Sequence, residues 1–143
     1  MVAYNGYEVF TEDLVNGAHQ FSAHTFKVGL TNTAPDAAAD EVRADAAELS
    51  TSGGYTSGGN TTTISVSRSG ATTKVTGTDP TAWTGSGGGF TFRYAFLYND
   101  SQTSPADPLI AYWDYGSSQA VAAGETLTVD FDGTNGIFTI TET

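Results

Sequence analysis

The stretch FTFRYAFLY, Phe90 to Tyr98, decides how the chain is read. Its even positions, Phe90, Phe92, Tyr94, Phe96 and Tyr98, are all aromatic, while Thr91, Arg93, Ala95 and Leu97 alternate with them. A period of two belongs to a strand, because successive side chains point to opposite faces of a sheet. The spacing predicts an aromatic ladder on one face. The run that follows, Leu109 to Tyr115, is apolar on both faces, with Leu109, Ala111, Trp113 and Tyr115 against Ile110 and Tyr112. That pattern suits a central strand or a strand at an interface.

Outward from this pair, strand signals recur every 10–15 residues. Thr25 to Thr31 alternates, with Phe26, Val28 and Leu30 on one face. Thr62 to Arg68 and Thr72 to Thr76 flank the Ser69-Gly70 turn, and Thr126 to Asp132 and Gly136 to Ile140 flank DGTNG, which reads as a hairpin loop. Near residues 7–20, Tyr7, Phe10, Leu14, Ala18 and Phe21 recur at helical spacing, so a short amphipathic helix is expected. Asp36 to Leu49 is Ala-rich and helical by propensity, although its apolar positions make no continuous stripe. SGGYTSGGN (52–60) is too glycine-rich for either regular state and reads as an extended arm or loop with Tyr55 at its centre. The expected fold is mainly β, an antiparallel β-sandwich or barrel-like domain with one short N-terminal α-helix, in a single domain over 1–143.

Composition narrows the function classes. The chain has 143 residues, 16 acidic against 5 basic, a net charge of -11 and no cysteine. The acid excess argues against nucleic acid and anionic membrane as partners, since both require cationic patches. The missing thiols remove disulfides, thiolate metal sites and cysteine nucleophiles. At 15% charged and 12% aromatic residues, the sequence is unlike a disordered acidic chain. The start MVAYNGYEVF carries neither a basic region nor an apolar run, so no secretory signal is read there and synthesis in a cytoplasm is expected.

Several motifs invite a chemical reading. His19 and His24 are five residues apart without a metal-protease motif, and read as solvated or capping histidines. SGGYTSGGN lacks the lysine of a phosphate loop. DFDGTNG brings Ca²⁺ to mind through Asp130, Asp132 and Asn135, but Asn135 falls where the turn glycine of such a loop belongs. Asp114, Asp130 and Asp132 are the obvious trio for glycoside hydrolysis, against the plainer reading of acids that keep an aromatic-rich surface soluble. No cofactor, no metal and no catalytic residue is expected. The aromatic surplus points instead to an interface: Tyr4 and Tyr7 at the start, Tyr55 in its glycine arm, and Tyr112, Trp113 and Tyr115 in one run that serves either as core or as a functional patch.

Taken together, VGLTNTAP (28–35), GGYTSGGN (53–60), DPTAWT (79–84), FRYAFLYND (92–100), DPLIAYWDYGSS (107–118), GETLTVDFDGTNGIFTI (124–140) and EVFTEDLVNG (8–17) resemble a family of small virion structural proteins of tailed bacteriophages. The Ala-rich 36–49 stretch departs from that pattern. The resemblance implies a non-enzymatic capsid decoration or cement protein on the outer capsid surface of the virion. Its partners would be the major capsid protein and its own copies in a homotrimer. A tail or adsorption-apparatus component and a carbohydrate-binding β-sandwich built on Trp113 are the alternatives.

Overall fold

The computed structural model describes residues 2–143, and among them the chain forms ten strands, one α-helix and one 3-10 turn. The main sheet has the order β1-β8-β7-β2-β3, with β1 at Asn5–Gly6, β2 at Phe26–Thr31, β3 at Asn60–Thr62, β7 at Phe90–Asn99 and β8 at Leu109–Val121. A three-stranded sheet, β10-β5-β4, is built from β4 at Ile64–Ser69, β5 at Thr72–Gly77 and β10 at Phe138–Thr141. A short pair joins β6 at Trp83–Thr84 to β9 at Thr126–Leu127. All pairings are antiparallel. The mainly β, sandwich-like architecture read from the sequence is the one observed.

The alternation of β2 explains the layers. Phe26, Val28 and Leu30 are fully buried in the principal core, where they meet Ala95 and Leu97 of β7 and Ala111 and Trp113 of β8. The smaller sheets close this core with Ile64, Trp83, Ile137 and Phe138. On the opposite face of the main sheet, Phe96, Tyr98 and Leu109 are covered by Tyr7 and Ala46. Both faces of the central strands are therefore buried along most of their length, which accounts for the apolar run Leu109 to Trp113 and makes β8 an interior strand. Gly29 lies under this second layer because the Phe96 ring rests where its Cβ would stand.

Four expectations are corrected. The aromatic ladder is split between two layers. Phe92 pairs with Gln119 and Tyr94 with Asp114, so β8 spends three more residues than β7 across that interval. The irregularity turns the strand over: Phe90 and Phe92 face the principal core, while Phe96 and Tyr98 face the other layer. The helix is also shorter than 7–20. It runs Val9–Val15 as α1 and is stopped by Gly17 at φ +81°; Ala18 and Phe21 reach the interior from the chain beyond it.

Asp36 to Leu49 forms turns and a 3-10 segment, Arg43–Ala46, not an α-helix. Its aspartates compete for the backbone. Asp36 accepts from the N–H groups of Ala38 and Ala39 at 3.1 and 3.2 Å, and Asp45 accepts from Glu41 and Val42, both at 3.1 Å. Finally, the strands around DGTNG do not pair with each other. Asp132 does close the turn, accepting from the N–H groups of Thr134 and Asn135 at 2.8 Å each, with Gly136 at φ +85°. The arms then diverge, one to β6 and the other to β5, because Val129, Phe131 and Ile137 turn into the core between them.

Candidate functional site

Three of the six aromatics singled out from sequence line one cleft of about 420 Å³. Tyr4 arrives just ahead of β1, whose pairing of Asn5 with Tyr112 sets it beside Trp113. The Tyr4 and Trp113 rings meet edge to face at 6.2 Å, and the Phe131 ring lies 5.3 Å from Trp113. Tyr115 stands two residues along the same face of β8 and packs edge-on against Phe92 at 5.0 Å. The wall facing them is the segment that the sequence read as a hairpin. Val129, Phe131 and Ile137 give it an apolar lining, and Asp130 and Asp132 stand among its acidic residues.

The cleft sets neutral phenols beside an ionised carboxylate. Burial raises the phenols of Tyr4 and Tyr115 above their ordinary range, with Asp130 adding to the effect at Tyr115, so both remain neutral hydrogen-bond donors. Asp132 is held below the usual carboxylate range by the N–H and side-chain amide of Asn135 and the N–H of Thr134. It is thus a fixed anion at the cleft wall. Tyr4 is the one aromatic of the site with substantial exposure, at 37%; Trp113 retains 8%.

The other sequence candidates lie elsewhere. Tyr7 is buried beneath the second layer with its ring 5.2 Å from Tyr112, which is half-buried. Tyr55, expected as an interface residue in an extended arm or loop, is 1% exposed and belongs to the principal core. Its hydroxyl donates to Glu48 Oε1 at 2.5 Å and accepts from the Leu30 N–H at 3.0 Å. The same Glu48 carboxylate accepts from the Gly58 N–H at 2.6 Å, from Ser57, and from the Arg43 guanidinium at 2.6 and 2.8 Å. The glycine-rich segment is therefore a latched loop. Gly59 is required within it, since φ is +65° and a Cβ would overlap the Val28 carbonyl.

The acidic trio does not assemble. Asp114 lies on the opposite face of β8 from Trp113 and Tyr115, where Arg93 binds it with two hydrogen bonds at 2.9 and 3.0 Å. That pairing, with the Gly116 N–H, holds Asp114 below the ordinary range, which suits an ion pair and not a general acid. No group of three or more potential metal ligands occurs among the described residues. Trp113 is only 8% exposed, with Tyr4 and Phe131 packed against it, so it offers no open platform for stacking a sugar ring.

The histidines correct the sequence reading. His19 is buried, stacked 5.9 Å from Phe21, and its Nδ1 lies 3.3 Å from the Asn99 amide nitrogen, which also meets His24 Nδ1 at 2.9 Å and donates to the Ala18 carbonyl. Burial, with His24 alongside, lowers the His19 pKa to about 4. The signal missed in the sequence was Asn99, eighty residues away and buried at the end of β7. Comparison with protein-family models, characterised proteins and solved structures finds no match for this chain.

Proposed function

We propose that the chain is a non-enzymatic structural protein of a tailed-phage particle, a capsid decoration protein that seats on the major capsid protein and stabilises the head. The observation that supports a binding role is the cleft: neutral aromatic donors and apolar walls beside a fixed carboxylate. A pocket of this kind accepts an apolar or aromatic anchor flanked by a basic side chain, the arrangement in which a few buried contacts dominate an interface. The phage assignment itself rests on the seven resembling segments of sequence.

The test uses purified protein and phage particles. Binding should occur on heads lacking the protein and not on isolated tails, and should delay heat-induced release of DNA. Tyr4→Ala and Asp130→Lys should each lower occupancy while leaving the fold intact, because Tyr4 and Asp130 are exposed. Binding to tails alone would move the protein to the adsorption apparatus, and equal DNA release with and without it would remove the stabilising role.

A further inference from the structure

The hairpin β4–β5 departs from the rest of the surface. From Leu49 to Thr78 there is no acidic residue, although the chain carries 16. Among the described residues, Lys27, Arg43 and Arg93 are spent in ion pairs, and the two basic residues without a carboxylate partner, Arg68 and Lys74, both lie on this hairpin. β4 is also the end strand of its sheet, and from Ser65 to Ser69 it is exposed throughout. A free edge of this kind is a template for another strand.

The phase of the ladder identifies the backbone groups on that edge. Thr78 N–H donates to the Thr63 carbonyl at 3.0 Å on one side of β5, and Glu142 N–H donates to the Ala71 carbonyl at 3.1 Å on the other. Antiparallel hydrogen-bonded pairs recur every second residue. Ser65, Ser67 and Ser69 therefore bond inward to β5, and the N–H and C=O groups of Ile64, Val66 and Arg68 point away from it. These are the same residues whose side chains share the apolar face with Val75 and Phe138, since Val66 pairs with Val75 and Val75 with Phe138. The reverse face is lined with serine and threonine around Lys74.

We propose that β4 pairs antiparallel with β4 of a second copy about a two-fold axis through Val66. Only one register uses all three outward-facing residues of both chains: Val66 opposite Val66, and Ile64 opposite Arg68. It forms six interchain hydrogen bonds and merges the two three-stranded sheets into one of six strands. It also keeps the faces in phase. Phe138, Val75 and Val66 run straight into their symmetry mates as one apolar row, and Val66, now 47% exposed, is covered. The two Arg68 residues sit four residues apart along the strands, roughly 13 Å at strand rise, farther than the Debye length of about 8 Å at physiological salt. A two-fold contact is isologous and closes at two copies.

Sedimentation of the full chain with dilution should give the mass of two chains, falling to one as concentration drops. Val66→Lys places like charges directly opposite each other and should give the mass of one chain under conditions where the parent is paired. Val15→Lys, at the most exposed apolar position, should leave the pair intact. Because the chain has no cysteine, Val66→Cys supplies a second readout that does not depend on disrupting anything: mild oxidation should join two chains covalently, whereas Val15→Cys should not. A single-chain mass for the parent at high concentration, a three-chain mass, or an unchanged pair in a folded Val66→Lys variant would each overturn the proposal.

Discussion

The loop at 50–60 and the hairpin at 64–77 are sequence neighbours of similar make-up, rich in Gly, Ser and Thr and free of acidic residues. One is fastened into the principal core through Tyr55; the other meets that core through Ile64, buries Val75, and leaves Ser65 to Ser69 exposed. The difference lies in a single side chain and what it meets. Tyr55 finds a carboxylate that is itself saturated by Arg43, Ser57 and Gly58, so a polar phenol can be buried with both of its hydrogen-bonding roles filled. Val66 has a valine beside it on one side and nothing on the other. Small-residue composition therefore says little about mobility; the partner of the one large residue decides whether such a segment is structural or available.

The comparison can be broken most forcefully at Glu48. Glu48→Ala strips the acceptor from Tyr55, Gly58 and Arg43 together, and the loss of stability should be about 3 kcal/mol, the lower range for breaking a buried charge pair, since Arg43 is partly exposed. Urea unfolding measures it. A loss below about 1 kcal/mol would mean that the latch is no stronger than a surface ion pair. Tyr55→Phe keeps the ring and removes the hydroxyl, orphaning the Leu30 N–H, and should cost about 2 kcal/mol. Once Glu48 has gone, the same change should cost much less, because the two residues act through one hydrogen-bond network.

The latch and the hairpin also show where sequence reading works and where it stops. β2, β4, β5 and β7 are legible because alternation is local: each strand declares its own faces. The turnover of β7 is not, because the extra residues that cause it belong to β8, more than twenty positions downstream. Tyr55 is misread for a related reason. An aromatic among glycines looks stranded until the turn at Ala47, φ +48°, brings Glu48 under it. At the cleft, Tyr4, Trp113 and Tyr115 were recognisable as surplus aromatics, and Asp130 and Asp132 as notable acids. Their meeting depends on two strands that leave a common turn for different sheets, which no spacing encodes.

Acid offers a smaller contrast between buried and projecting regions. His19 titrates near 4 when folded and near 6.5 when unfolded, so the unfolded chain binds the proton first and stability falls as pH drops through that window. Between pH 7 and 5 the loss due to His19 should be about 2 kcal/mol. His19→Phe should flatten that part of the profile. Amide protection, taken relative to the intrinsic exchange rate at each pH, should weaken at the His19 corner in the same range while protection across β4 and β5, which hold no histidine or acid, stays constant. Parallel loss of protection in both regions would show that the corner and the hairpin open as one unit.

The smallest expected effect sits at Val66 itself. In a single chain, Val66→Thr keeps the branched shape and strand preference, exchanges a methyl for a hydroxyl at a half-exposed edge, and should change stability by less than about 0.5 kcal/mol. Measured on dilute protein, that near-silence marks the hairpin as the opposite of the latch. On concentrated protein the outcome should differ, because association stabilises whatever binds only when folded, and the parent should gain stability with concentration while the variant gains less. A fixed gap between the two at every concentration would instead place the whole effect inside one chain, and Val66 would then be an ordinary core margin like Phe138.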